Sequence, residues 1–447
     1  MTSSNYAKYF LTLALLLGIA DLQQYVGVPL YDEQKYILFI IASLAIAFPK
    51  FWIPLLLCSI AGAICYPYLE EIANYEKLLM YSLTFPLCLF VILGNIKTNG
   101  KSFTGLLTAF LLLPLFYNST GQKYLDILAF IVIDNTAMMG MVMNIITNIV
   151  FIFITIGIVI INTGLVNIII QYILRYIKSP ARVAILSSAV FGSISGSAVA
   201  NVMSTGQITI PLMIKCGYPK RLAAAYESVA STGGQLLPPI MGAAAFLMAE
   251  LLQISYWDVV YYATLPAIIF YLLLLIKAPK GNIEGEFTKE KIQWPALKST
   301  MLKIADTMHG LILLGAGIGL MIGIMEQTGL IYLITNFLFQ LASGNSIILL
   351  LLTSVLCIIL GMGMPTGAAY VIVAIITAPS LIEAGFTEIW AHMFVLYFSV
   401  LSMLTPPVAI ASFAAAKITN TNPITTSLTS MYVAWPLYIL PFIFVWF

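Results

Sequence analysis

Four short clusters in this 447-residue chain carry residue types able to do chemistry. They are Gly192-Ser-Ile-Ser-Gly-Ser-Ala-Val-Ala, Gly233-Gly-Gln-Leu-Leu-Pro-Pro, Gly361-Met-Gly-Met-Pro-Thr-Gly-Ala-Ala and Met403-Leu-Thr-Pro-Pro. Gly and Pro interrupt helical hydrogen bonding and free backbone amides and carbonyls. Beside them stand oxygen donors: Ser193, Ser195, Ser197 and Asn201 in the first cluster, Thr232 and Gln235 in the second, Thr366 in the third, Ser402 and Thr405 in the fourth. Hard oxygens without clustered carboxylates suit Na⁺ better than Zn²⁺ or Cu²⁺. Broken helices also turn positive N-terminal ends toward an anionic group. The plainer reading is that small residues only let helices pack closely. Four breaks in a two-fold pattern favour a binding site over that reading.

Composition says where these clusters sit. The chain is 61% hydrophobic and 9% charged, whereas a soluble domain carries about 25% charged residues. Apolar runs of roughly 17–25 residues recur along it, each long enough to span a bilayer as a helix. The runs are continuous rather than alternating, so an all-α polytopic membrane protein is expected. The net charge of +2 says nothing about a partner, and no nucleic-acid partner is expected. Five scattered cysteines have no metal-ligand spacing and read as packing residues. No P-loop and no H-E-x-x-H occurs, and no His or Lys lies at a depth to act as base for the Ser-rich cluster. These absences disfavour an enzyme.

The elements that position the clusters form an internal repeat. Asn162-Thr-Gly-Leu-Val-Asn-Ile-Ile-Ile resembles Gln327-Thr-Gly-Leu-Ile-Tyr-Leu-Ile-Thr, 165 positions later, and Pro238-Pro239 and Pro406-Pro407 lie 168 positions apart. Each Thr-Gly-Leu mark precedes a segment too short to span, read as an interfacial arm helix, then a small-residue cluster, then a Pro-Pro break. Arg175, Lys178 and Arg182 precede the first cluster and Lys215, Lys220 and Arg221 follow it. Lys and Arg mark the cytoplasmic side, so this segment enters the membrane and returns as a hairpin, residues 181–214. Lys and Arg are absent between Lys303 and Lys417, which opens the second hairpin, 345–382, on the outer face. Three intervening spans, near 221–253, 259–277 and 307–325, invert the topology. The expected division is therefore 1–130 for about five N-terminal spans, 131–277 for the first inverted repeat, 278–303 for a cytoplasmic linker and 304–447 for the second repeat. The N-terminal spans fall near 8–28, 35–49, 51–69, 77–96 and 103–119. Their loop charges (Glu70, Glu71 and Glu76 against Lys50, Lys97 and Lys101) put the N-terminus in the cytoplasm, against Lys35, Lys77 and Lys123. Asn118-Ser-Thr forms a sequon of the kind that often arises by chance.

Ionisable residues inside a membrane are functional candidates by default. Glu227 is one, with an ion pair to nearby Arg221 as the competing structural role. His309 and His392 read as lone histidines at helix ends, with a proton relay as the minor alternative. Met138–Met143 reads as packing.

The motifs Gly192-Ser-Ile-Ser-Gly-Ser-Ala-Val-Ala-Asn, Ala230-Ser-Thr-Gly-Gly-Gln-Leu-Leu-Pro-Pro-Ile-Met-Gly-Ala-Ala-Ala-Phe, Gly361-Met-Gly-Met-Pro-Thr-Gly-Ala-Ala-Tyr and Ala391-His-Met-Phe…Thr405-Pro-Pro-Val-Ala resemble the large membrane subunit of tripartite ATP-independent periplasmic (TRAP) transporters. The likeness is to the fused permeases that work with TAXI-type binding proteins. It covers about residues 130–447, while residues 1–130 match the small membrane subunit only in position and helix count. The resemblance implies an elevator-type carrier in the bacterial inner membrane, driven by a Na⁺ gradient, and the two-fold pattern of the breaks suggests two or more Na⁺. It also implies a periplasmic TAXI-type solute-binding protein that delivers a small anionic solute such as an organic acid. Carried onto this sequence, the Na⁺ sites fall at Ser193, Ser195, Gly196, Ser197, Gly233, Gly361, Gly363, Met364, Thr366 and Thr405. The solute site falls at Ser197, Asn201, Thr232, Gln235, Pro238, Pro365, Thr366 and Pro406. The chain departs from fused members in its short linker and in having fewer spans. The competing readings are a stand-alone Na⁺-coupled dicarboxylate-type carrier and a degenerate, non-transporting membrane scaffold.

Overall fold

The structure, a computed structural model, describes residues 3–19, 32–51, 77–117, 122–134, 136–279 and 296–446. The expected span at 51–69, the loop acids Glu70, Glu71 and Glu76, the sequon at Asn118 and most of the 278–303 linker lie outside the described residues. Every regular element among those described is helical. Among the described residues, four helices are long and apolar enough to cross a membrane: Met141–Ile160, Tyr256–Lys277, Leu297–Thr328 and Thr366–Glu383. A fifth crossing is available if Pro423–Val433 and Trp435–Phe444, bent by 47° at their junction, count as one span. This is a multi-pass helical membrane protein.

The chain forms two compact units, each discontinuous in sequence. The first contains residues 1–158 and 295–333. At its centre runs the 32-residue helix Leu297–Thr328, buried along Ile312–Leu320. Asn95, on the helix Lys77–Thr98, donates to the Leu313 carbonyl at 2.8 Å, and Asn99 donates to the Gly310 carbonyl at 3.0 Å. His309 is the thirteenth residue of the long helix, so the sequence reading that placed it at a helix end is corrected. The segment expected to span at 103–119 is also shorter than expected. Its helix ends at Leu112, and a tighter turn carries the chain past Pro114. Proline lacks the amide hydrogen that would continue an α-helix.

The second unit contains residues 159–294 and 334–447 and carries all four clusters. Its two halves present the same order of elements. A 12-residue amphipathic helix leads into each half, Leu165–Tyr176 and Leu330–Leu341, the second beginning in the last residues of the first unit. In the first of these Ile170 and Leu174, one turn apart, pack on Val183 and Phe191, while Tyr172 and Tyr176 are exposed. Two antiparallel arms follow: Pro180–Ser195 returning through Ala198–Ser204 and Gly206–Lys215, and Ser346–Gly361 returning through Thr366–Glu383. Then come interrupted helices. Lys220–Gly233 breaks before Ala243–Leu251, and Glu388–Leu401 breaks before Ile410–Thr419. The peptide bonds Pro238-Pro239 and Pro406-Pro407, one in each interruption, are both cis.

Candidate functional site

The first hairpin turns where glycine permits it. Helix Pro180–Ser195 ends at Gly196, which has φ +62° in the left-handed region, a conformation that costs a side-chain-bearing residue about 1–2 kcal/mol. Ser197 then caps the next helix by accepting from the Ala200 amide at 3.3 Å. This tip is sewn to the first Pro-Pro break by backbone. The Ser193 carbonyl accepts from the amides of Ile240 and Met241, both at 3.2 Å. Deeper in the hairpin, Gly192 and Gly234 touch main chain to main chain. A Cβ on Gly192 would come within 2.8 Å of the Gly234 Cα, and one on Gly234 within 2.6 Å of the Gly192 Cα.

The second tip repeats the device with different residues. Helix Ser346–Gly361 gives way to Met362, to Gly363 at φ +75° and to the buried Met364. Helix Thr366–Glu383 then starts after Pro365, with no side chain capping its first amides. The second break supports this tip through Ser402, whose hydroxyl donates to the Gly361 carbonyl at 3.0 Å. Thr405, by contrast, donates to the Leu401 carbonyl at 2.8 Å and lies 2.7 Å from the Tyr438 hydroxyl, with no hydrogen bond to the tip.

Gln235 brings the tips together. Its amide nitrogen donates to the Gly196 carbonyl at 3.0 Å, and its amide oxygen accepts from the Thr366 hydroxyl at 3.1 Å. Gly196 belongs to the first tip, Gln235 to the first break and Thr366 to the second tip. Gln235 and Thr366 are both buried. Two hydroxyls close to this junction in sequence, Ser195 Oγ and Thr232 Oγ1, are buried without any hydrogen-bond partner. Buried hydroxyls without partners are uncommon. Here they add hard oxygens to a helix C-terminus, where the backbone dipole favours a cation. The uncapped start of helix Thr366–Glu383 places the opposite, anion-favouring polarity at the second tip. The donor set fits Na⁺ in kind.

Two further polar residues have their partners around the first hairpin. Asn201 turns into the first hairpin, donating to the Ser188 carbonyl at 2.7 Å, with its Oδ1 3.0 Å from Thr205 Oγ1. Glu227 has no ion pair with Arg221, which is exposed. Its carboxyl accepts instead from the hydroxyls of Ser188, Thr205, Thr209 and Ser231. The periodicity explains the correction: six residues along a helix lead about 120° round it and about 9 Å along, whereas Ser231, four residues on, shares Glu227's face. His392 is buried within its helix and lies 2.8 Å from the Tyr370 hydroxyl through Nδ1, so it is neither lone nor terminal. Met138, Met139 and Met143 are buried in the first unit.

A family model described as "Tripartite ATP-independent periplasmic transporter, DctM component" matches residues 87–285 and 282–447. A curated protein from Sinorhizobium fredii (strain NBRC 101917 / NGR234), "Uncharacterized protein y4mL", is 40% identical over 65 residues, which is 14% of this chain. The match spans 16% of that protein's length.

Proposed function

This chain belongs to the DctM component family of tripartite ATP-independent periplasmic transporters, and from that premise we propose that it is the permease of a Na⁺-driven uptake system for a small anionic solute. The family is a transporter permease component, not an enzyme. In this reading the chain sits in the bacterial inner membrane with its N-terminus in the cytoplasm. A periplasmic TAXI-type binding protein delivers an organic acid, as the fused-permease resemblance implies. Segments 131–277 and 304–447 act as inverted repeats, and the unit of residues 159–294 and 334–447 acts as the moving body of an elevator. The placement of both hairpins within that one compact unit supports this.

The observation that carries the proposal is the double hydrogen bond of Gln235 to Gly196 and Thr366. A single amide that contacts both tips makes one junction of them, where a solute and its coupling ions can be held together. Na⁺ is assigned to the oxygens around Ser193, Ser195, Ser197 and Thr232 at the first tip and around Gly361, Gly363, Met364, Thr366 and Thr405 at the second. The solute's carboxylate is assigned to the start of helix Thr366–Glu383, with Ser197, Gln235, Pro238 and Pro406 as its walls.

The test is thermal unfolding of the purified chain titrated with NaCl, KCl or choline chloride. Ligand binding stabilises by RT ln(1 + [L]/Kd), about 2.7 kcal/mol at a hundredfold excess over Kd. The expected outcome is a saturable shift with Na⁺ alone, lost in Ser195→Leu and Thr366→Leu proteins that still insert. Equal melting in the three salts, or a Na⁺ shift retained by both variants, refutes the assignment.

A further inference from the structure

Glu227 stands apart from the tip chemistry. It lies midway along helix Lys220–Gly233 and is the only carboxyl among the described residues that is fully buried. A buried charge is costly unless it is paired or fully hydrogen-bonded. No Lys, Arg or His comes within ion-pair distance among the described residues. What surrounds the carboxyl is oxygen. Oε1 lies 2.6 Å from Ser188 Oγ, 2.6 Å from Thr205 Oγ1 and 3.1 Å from Ser231 Oγ, and Oε2 lies 2.5 Å from Thr209 Oγ1. Such spacings are bridged by hydrogen. Ligands gathered round a metal ion at about 2.0–2.6 Å stand further apart from one another.

Three of the four hydroxyls have a second acceptor already in place. Ser188 Oγ lies 2.9 Å from Thr205 Oγ1, Thr205 Oγ1 lies 2.9 Å from the Asn201 carbonyl, and Thr209 Oγ1 lies 3.1 Å from the Thr205 carbonyl. The ionised carboxylate can therefore accept four O–H donors. A proton added to Oε2 is accommodated by turning the Thr209 O–H to the Thr205 carbonyl, after which the carboxyl donates to Thr209 Oγ1. No heavy atom moves. Both protonation states are fully hydrogen-bonded, which is what an exchange site requires.

The groups facing the carboxyl from neighbouring helices are uncharged. Ser188 comes from helix Pro180–Ser195, and Thr205 and Thr209 come from the returning arm. Tyr271, on helix Tyr256–Lys277, is the titratable neighbour, and its hydroxyl donates to the Ala230 carbonyl at 2.7 Å. Lys215 and Lys417, on two other packed helices, are exposed at their ends. On helices Pro423–Val433 and Glu388–Leu401, Ser430 bonds Ser228 and His392 bonds Tyr370.

We propose that the Glu227 carboxyl, packed against the first hairpin, is a proton-binding site whose charged and neutral forms are both served by rotation of the surrounding hydroxyls. The proton forms an O–H bond at Oε2 and leaves as hydronium. That it accompanies solute movement rests on the transport reading above; the binding itself does not.

The test is pH-dependent infrared difference spectroscopy of the full chain in lipid, in H₂O and D₂O, without solute, gradient or partner protein. The outcome therefore stands whether or not the transport reading fails. A protonated-carboxyl stretch that comes and goes with pH, shifts in D₂O and vanishes in Glu227→Gln is expected. No Glu227-dependent change across the pH range the folded protein tolerates overturns the proposal. If Glu227→Gln does not fold, Thr209→Val decides. Removing the Oε2 donor must move the band's frequency and its midpoint, and a band left unmoved arises elsewhere and overturns the proposal equally.

Discussion

Replacing Gln235 by Ala tests whether the two tips are joined. The substitution deletes the amide that donates to Gly196 and accepts from Thr366. A typical intramolecular hydrogen bond contributes about 0.5–1.5 kcal/mol net, and a buried polar group stripped of its partner costs about 1–3 kcal/mol. Two groups lose their partner at once, so Gln235→Ala is expected to destabilise the protein by about 2–4 kcal/mol. Thr366→Val keeps the side-chain shape and deletes one donor, for about 1–2 kcal/mol. The Thr366–Gln235 bond is absent from both single variants, so summing them counts it twice. The double variant should therefore cost about 1 kcal/mol less than the sum. Equilibrium unfolding in mixed detergent micelles, followed by far-ultraviolet dichroism, measures all four proteins. Additivity to within about 0.3 kcal/mol would show that the two tips do not share this bond, and the junction argument would fail with it.

Two further substitutions follow from the geometry. Gly196→Ala must accept a left-handed backbone and a Cβ 2.5 Å from the Met241 carbonyl, for about 1–2 kcal/mol of backbone strain and about 1–3 kcal/mol of overpacking. Gly164→Ala has a similar φ of +75° and nothing within 4 Å of the added carbon, so only the backbone part applies; equal losses in thermal melts would contradict the packing argument. In the first unit, Asn95→Leu removes donation to the Leu313 carbonyl and acceptance from Asn99, an expected loss of about 1–3 kcal/mol. Because Asn99 belongs to the same network, adding Asn99→Ala should cost less than it does alone, and simple additivity would separate the two residues.

The breaks and tips were legible because Gly and Pro act locally. A left-handed Gly196 or an uncapped start after Pro365 depends on a few adjacent residues, and sequence prints those directly. Gln235 was recognised as an oxygen donor, but its reach to Thr366 spans 131 positions and no local rule predicts it. Glu227 shows a different failure. Proximity in sequence pointed to Arg221, whereas the partners Thr205 and Thr209 come from another helix, and Ser231 from the next turn of its own. The signal was present as two spacings of four residues, each aligning oxygens on one helix face. Pairing those faces needed the tertiary fold. The helix within 103–119 is shorter than expected because Pro114, which the sequence prints, ends it, whereas the expectation weighed hydrophobicity alone.

The contact of Gly192 with Gly234 also bears on how this gene can drift. Every missense change at a glycine codon adds at least a Cβ. At these two positions that atom would lie 2.8 Å and 2.6 Å from the opposite Cα, and main chain cannot swing aside as a flexible side chain can. Neither position has a conservative replacement, and enlarging one cannot be compensated by shrinking the other, since glycine is already the smallest residue. The pair should therefore stay fixed while the oxygens around it are free to be exchanged. A change of solute would then come through the side chains and leave the seam as it is.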